Sequence, residues 1–162
     1  MFRRTRILAA VGLAAALPLS ATAATAPGTL AVSATVLNVC TVVALPMAFG
    51  NVTPGASPAD STATITVLCT SGTGYNVLLG QGANGTAVTD RKMKDVGTNT
   101  LNYSLYSNAG YTTNWGETIG TDTVTGTGTG LGVVHTVYGR IAASQYVAPG
   151  VYTDTVAITV DY

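Results

Sequence analysis

Short runs of alternating apolar and polar residues follow one another along most of the chain, and residues that favour turns separate them. In residues 61–70, for example, Ile65 and Val67 lie on one face of the alternation and threonines lie on the other. A period of two predicts a β-strand that is buried on one side. The same pattern predicts strands at residues 40–49, 75–79, around 93, 101–106, 122–125, 133–140 and 152–162. Roughly eight short strands, with no stretch of helical period, predict an all-β sandwich.

The last predicted strand, residues 152–162, has an apolar face that only Asp154 interrupts. No later segment of the sequence is there to cover its outer edge. A strand edge without a neighbour or a protective charge invites pairing with another chain. We therefore expect this face to flank an open groove, and the groove residues are Val156, Ile158, Val160 and Tyr162.

Residues 28–36, near the N-terminus, repeat the alternation, although no hairpin turn ties them to the strand that follows. The apolar phase slips at Leu37 and Val39, which indicates where this segment gives way to the first strand of the domain. A domain that lacks one strand and carries a spare one is predicted to lend the spare strand to a neighbouring copy. The predicted donor residues are Gly28, Leu30, Val32, Ala34 and Val36, with Gly28 placed where the groove is tight.

The first 23 residues have the three parts of a secretory signal peptide. Arginines within residues 3–6 precede an apolar run at 7–19, and small residues at 21–23 form the cleavage site. The apolar run is too short to span a bilayer. The sequence therefore predicts a signal peptide at 1–23, an N-terminal donor-strand extension at 24–37 and a β-sandwich domain at 38–162.

Both cysteines, Cys40 and Cys69, lie in the exported part of the chain, where an oxidising compartment lets them pair. A disulfide that closes a loop of about thirty residues contributes roughly 3 to 4 kcal/mol in the chain-entropy model. A redox or metal role is the alternative, although two cysteines and one histidine cannot build a closed zinc site.

Without the signal peptide, the chain has four basic and seven acidic residues, a net charge of −3, so nucleic acid is not expected as a partner.

No pattern in the sequence predicts a catalytic residue, a metal site, a cofactor or a small-molecule substrate. His135 lies alone on a predicted strand and is expected to be structural, and the serines lack the context of a nucleophile elbow. The glycine-rich segment 123–132 lacks the lysine and the helix of a phosphate loop, so a flexible loop is expected. Trp115 could stack on a sugar, but packing beside a turn is the preferred interpretation. A solvated strand or an intersubunit contact is expected at the basic cluster Arg91, Lys92 and Lys94.

Several stretches of the sequence together are specific to one protein family. They are ATVLNVCTV around Cys40, FGNVTP from Phe49, STATITVLCTSGTGYNV around Cys69, RKM at 91–93, LNYSLYSNAGYTTNWGE at 101–117 and VYGRIAASQYVAPGVYTDTVAITVDY at 137–162. On these stretches the chain resembles the spore coat protein U domain family, which includes subunits of archaic chaperone-usher pili. The resemblance implies an incomplete immunoglobulin-like β-sandwich that a donor strand from a neighbouring subunit completes, with a disulfide between the two cysteines.

The resemblance also implies partners, a location and a function. The expected partners are identical or related pilus subunits, a periplasmic chaperone that contacts the groove residues by strand addition, and an outer-membrane usher. The subunit would pass through the periplasm to the cell surface and become part of a pilus for adhesion and biofilm formation, without enzymatic activity. The alternatives are a spore coat or cell-surface structural protein of the same fold and, from a different class, a secreted carbohydrate-binding module or enzyme.

Overall fold

The computed structural model describes residues 22–53, 55 and 57–162. The predicted signal peptide lies outside the described residues except for its last two positions. The chain divides into two units, residues 1–34 and residues 35–162. In the first unit, residues 22–34 are exposed and belong to no strand or helix.

The second unit is built from antiparallel strands. The strands found among the described residues are β1 (Cys40–Ala44), β2 (Ala59–Cys69), β3 (Gly74–Leu79), β4 (Arg91–Lys94), β5 (Thr100–Tyr106), β6 (Val124–Thr127), β7 (Gly132–Ile141) and β8 (Ile158–Asp161). One sheet has the order β1-β2-β7-β5-β4, and the other has the order β6-β3-β8. The predicted all-β fold of two antiparallel sheets is therefore confirmed. Within the described residues, no helix has the length and hydrophobicity needed to cross a membrane.

The hydrophobic core is formed by inward-facing residues at alternate positions of β2, β3, β5 and β7. This is the alternation that the sequence shows at 61–70, 75–79, 101–106 and 133–140. Burial of these side chains away from water stabilises the packing of the two sheets against each other. The most deeply buried aliphatic residues are Ile65, Val67, Val77 and Leu79.

The bounds of three strands differ most from those that the sequence predicts. The strand predicted at 40–49 stops at Ala44, because Pro46 has no N–H group with which to continue the ladder. The strand predicted at 122–125 is found at Val124–Thr127. In the segment 152–162 only β8 is a strand, since Thr153 pairs instead with Lys94 of β4. Residues 153–158 thus pass from an edge of the five-stranded sheet to β3 of the other sheet.

A disulfide joins Cys40 of β1 to Cys69 of β2, which confirms the predicted pairing. The two cysteines are direct cross-strand partners at one end of the β1–β2 pair. The bond therefore fixes β1 to the rest of the sheet along one edge and leaves its other edge untouched.

Candidate functional site

A cleft of about 580 Å³ opens between β1 and the segment that leads into β8. One wall runs from Ala44 at the end of β1 to Phe49, and residues 152–158 form the other wall. We call this cleft the groove. Its floor consists of buried core residues that include Ile65, Leu79, Leu105 and Val137. A second cleft of about 610 Å³ shares Met47, Phe49, Met93 and Tyr152 with the groove and continues it at that end.

Both strands that border the groove have a free edge. In the described part of the chain, β1 pairs only with β2, and β8 pairs only with β3. The carbonyl oxygens of Thr155 and Ala157 accept hydrogen bonds from the N–H groups of Ala83 and Gly80, at 3.0 and 2.9 Å. Because the backbone groups of successive strand residues point in opposite directions, those of Val156 and the other even-numbered residues point away from β3. The groove therefore offers backbone hydrogen-bonding groups beside an apolar floor.

The four predicted groove residues differ in burial and in whether they line the groove. Val156, Ile158 and Val160 are half-buried and pack against the core, and Val156 and Ile158 line the groove directly. Tyr162 follows β8 and is 57% exposed. β8 also approaches β1, and Val160 lies beyond the residues that line the groove.

Asp154 is the one charged residue on the inward-facing row of this wall, and hydrogen bonds hold its carboxylate in place. Its Oδ1 accepts from the backbone N–H groups of Ala83 and Asn84, at 2.9 and 3.2 Å, and from Asn84 Nδ2 at 2.9 Å. Its Oδ2 accepts from the hydroxyl of Tyr103 at 2.7 Å. Burial and the hydrogen bond to Asp154 raise the pKa of Tyr103, so the hydroxyl keeps its proton and donates it. We call the pair Asp154 and Tyr103 the polar point of the groove.

The predicted donor segment is exposed along its whole length. The exposed fractions of Leu30, Val32 and Val36 are 88%, 85% and 81%. Gly28 and Ala34 are exposed as well, and none of residues 28–36 belongs to a strand or helix. A row of exposed apolar side chains is typical of a segment that another protein surface covers. The donor role of these residues stays a prediction.

The prediction that Arg91 lies in a solvated basic cluster is wrong. Its side chain is fully buried, and the guanidinium donates hydrogen bonds to the carbonyl oxygens of Leu79, Gly80, Val88 and Trp115 at 2.7 to 2.8 Å. Burial lowers the pKa of this guanidinium from its usual value. Nothing in the sequence indicated this role, because the carbonyls come from three separate parts of the chain. Arg91 thereby anchors the end of β3, which supplies Leu79 to the groove floor.

Trp115 and His135 both have structural roles, as expected from the sequence. Trp115 is 0% exposed, and its Nε1 donates a hydrogen bond to the carbonyl of Val77 at 2.9 Å. The His135 Nε2 lies 2.9 Å from the hydroxyl of Tyr75, and its ring meets Trp115 edge-on. Burial lowers the pKa of His135. The indole is therefore part of the core and is not a platform for a sugar.

The glycine-rich segment 123–132 contains the edge strand β6 and is not only a loop. A Cβ atom at Gly126 would overlap the ring of Tyr75, so this glycine allows close packing against the ring. Among the described residues, no three histidine, cysteine, aspartate or glutamate side chains come together as metal ligands would.

The fold and the groove define a class of protein: an all-β sandwich in which two edge strands border an open apolar groove. The chain belongs to the Spore Coat Protein U domain family, whose model matches residues 26–159. This match confirms the family resemblance seen in the sequence. No curated protein matches the chain significantly.

Among solved structures, the chain is similar to one from the CsuC-CsuE chaperone-tip adhesion subunit pre-assembly complex of the archaic chaperone-usher Csu pili of Acinetobacter baumannii. The sequence identity is 23% and the TM-score is 0.58. The match covers 79% of this chain and 40% of that chain, so this chain spans less than half the length of the protein it matches. At this identity the likeness establishes the fold.

Proposed function

We propose that this protein is a structural subunit of a pilus and that it polymerises by donor-strand exchange. Residues 28–36 of one subunit fill the groove of the next, with Leu30 and Val32 covering the core residues of its floor. The resulting fibre lies on the cell surface and serves adhesion and biofilm formation, and the chain catalyses no reaction. In this proposal Tyr162 lies at the rim of the groove.

The observation that carries the proposal is that one chain combines an open groove with an exposed apolar segment. The empty groove exposes apolar surface and unpaired strand edges, and both cost free energy in water. A strand laid into the groove covers the floor with alternate side chains and extends the backbone ladder. The segment 28–36 has the alternation that such a strand requires.

Assembly and final folding are coupled in this mechanism. A subunit with an empty groove lacks part of its core, so its stability is low for a domain of this size. When a donor strand closes the groove, the core of the acceptor becomes complete and the acceptor gains stability by mass action on its folded state. This gain, and not a nucleotide, would drive growth of the fibre.

The same groove explains why we propose two assembly proteins as partners. A periplasmic chaperone would occupy the groove with a strand of its own until the subunit reaches the outer membrane. An outer-membrane usher would be the place where the donor segment of another subunit replaces that strand. The name of the similar structure, a chaperone–subunit pre-assembly complex, supports this proposal.

A structural role in a spore coat or a surface layer is the second candidate, and the description of the family favours it. Electron microscopy of cells that express the chain with its neighbouring genes distinguishes the two. Thin fibres labelled along their length support the pilus, whereas a continuous labelled layer supports the coat.

Deletion of residues 28–36 tests the proposed mechanism. The shortened chain keeps its groove and its disulfide, so we expect a chaperone still to hold it, but it cannot donate a strand and should form no fibres. A variant with Thr29→Ser and Thr35→Ser keeps all five donor residues and should assemble normally. Fibres formed by the shortened chain would contradict donor-strand exchange.

A further inference from the structure

We propose that the polar point of the groove, Asp154 and Tyr103, sets the register of the donor strand by admitting only the small residue Ala34 opposite Asp154. This inference rests on the proposed function. It adds to donor-strand exchange a residue that determines specificity and a defined pairing between the two strands.

The two rows that would meet have five positions each. The groove wall presents an aromatic residue, a carboxylate and three aliphatic residues, in the order Tyr152, Asp154, Val156, Ile158 and Val160. The donor segment presents three large aliphatic residues and two small ones, in the order Gly28, Leu30, Val32, Ala34 and Val36. Only a small residue suits the position opposite the carboxylate, and this limits how the rows can be aligned.

The reason lies in the solvation of Asp154. Its oxygens accept hydrogen bonds from Ala83, Asn84 and Tyr103, but the residue is only half-buried and water still reaches it. A Leu or Val side chain laid over the carboxylate would remove that water and leave a charged group in an apolar contact. The methyl group of an alanine is too small to do so.

When an antiparallel strand places Ala34 opposite Asp154, each of the other four donor residues lies opposite a residue of the groove wall that suits its size. The three large donor side chains then meet residues that line the groove: Leu30 meets Ile158, Val32 meets Val156 and Val36 meets Tyr152. Gly28 falls opposite Val160, which lies on β8 beyond the residues that line the groove, and β8 approaches β1.

The other alignments that place a small residue at Asp154 fit less well. A parallel strand with Ala34 at Asp154 puts the polar Asn38 over Ile158. An antiparallel strand with Gly28 at Asp154 leaves only alanines opposite Val156 and Ile158. A parallel strand with Gly28 at Asp154 covers Val156 and Ile158, but it places Val36 beside the exposed Tyr162, outside the groove.

Disulfide cross-linking between two subunits tests the register. In the proposed alignment Ser33 lies opposite Thr155, and both side chains point outward and are exposed. Because the backbone of Thr155 already bonds towards β3, this is a non-hydrogen-bonded pair, the closer of the two kinds of cross-strand pair. Full-length subunits with Ser33→Cys are refolded, with the native disulfide intact, together with subunits that carry Thr155→Cys. Parallel mixtures use Ala157→Cys or Thr159→Cys as the acceptor.

We expect a cross-linked heterodimer in the mixture with Thr155→Cys and at least about tenfold less in the other two, since disulfides tolerate little change in Cα separation. A cross-link with Ala157→Cys indicates a slip by two residues, and one with Thr159→Cys indicates either a slip by four residues or the parallel strand with Gly28 at Asp154. Either result overturns the register and leaves donor-strand exchange standing. No cross-link in any mixture also overturns the register, because the parallel strand with Ala34 at Asp154 would place Ser33 opposite Thr153. Fibres formed by the chain without residues 28–36 remain the result that contradicts donor-strand exchange.

A second measurement tests the cause of the register. Adding Ala34→Leu to the donor with Ser33→Cys should lower the yield of the cross-link to Thr155→Cys about tenfold, because the larger side chain covers Asp154. Val32→Leu adds one methylene group opposite the apolar Val156 and should lower the yield much less. Equal yields from the two donors would show that the polar point does not select Ala34.

Discussion

Arg91 shows how one buried cation organises the groove floor, and within the described part of the chain it makes no ion pair with a carboxylate. Its guanidinium bonds to carbonyl oxygens at the end of β3, in the segment before β4 and in the loop after β5. A carbonyl oxygen that is buried without a donor costs free energy, so these contacts depend on one another. The planar group with five donors suits several carbonyls at once, which a lysine cannot reproduce.

We predict that Arg91→Met lowers the free energy of unfolding by several kcal/mol, since each carbonyl left without a donor costs about 1 to 3 kcal/mol. Lys92→Met is the matched control, because the Lys92 ammonium makes a partly exposed ion pair with Asp90, and such pairs contribute little to stability. Urea denaturation of the purified variants measures both changes. Equal stability of the two variants would contradict the anchoring role of Arg91.

His135 makes the stability of the domain depend on pH, and the direction of this dependence follows from the shift of its pKa. Burial lowers its pKa below the usual value of 6.5, so the folded chain binds the proton less readily than the unfolded chain does. Stability is therefore highest above about pH 6.5 and falls as the pH drops from there towards the lower pKa of the folded state.

We predict that the unfolding temperature falls between pH 7.5 and pH 5.0 and that His135→Gln, which can still bond to Tyr75 but does not titrate, removes most of this fall. The carboxyl groups of Asp60, Asp90 and Asp95 have lowered pKa values, so their charges are lost only at more acidic pH. Thermal melts of both chains at the two pH values make the comparison. The same fall in both chains would assign the effect to other groups.

At the scale of elements, β8 and the residues before it belong to both sheets. Thr153 bonds to β4 in one sheet, while Ala157 and β8 bond to β3 and the residue after it in the other. The segment can therefore form one wall of the groove along its length. A change on its inward face should disturb the groove, whereas a change on its outward face should not.

On the proposed function, we predict that Ile158→Asp abolishes export or assembly, because it places an unpaired charge at the groove wall against the core. Thr159→Asp is the control on the same strand, since Thr159 is exposed. The amounts of folded periplasmic subunit and of surface fibre measure the effect. Normal assembly of the Ile158→Asp variant would show that this strand does not border the acceptor site.

At the scale of the whole molecule, the proposed function concerns the strand that fills the groove. Such a strand should stabilise the domain equally well whether it comes from another subunit or from the same chain. We predict that a copy of residues 28–36 fused after Tyr162 through a flexible linker long enough to reverse direction fills the groove of its own chain. This chain should melt at a higher temperature than the native monomer and should not need a chaperone. A fusion in which Leu30, Val32 and Val36 of the added copy are replaced by serine is the control. Equal melting temperatures of the fusion and its control would contradict filling of the groove by this segment.

The sequence alone determined the class of fold, the disulfide and the family. Alternation with period two is a local property, so it located a strand near each of the eight that the described residues contain. Cys40 and Cys69 are the two cysteines of the chain, and the expected compartment allowed one pairing. The polar interruption at Asp154 was visible in the sequence, but its hydrogen-bonding partners were not.

Only the tertiary structure decided which residues surround the groove and why two charged side chains lie where they do. In the sequence, Arg91 is one of three basic residues within residues 91–94, and Asp154 is a break in an apolar face. Their partners are separated from them by as many as 24 and 71 residues. Local periodicity carries no information about such contacts, because strand order and the crossing of the last segment between the sheets bring the groups together. Those features follow from the packing of the whole core, and no single strand determines them.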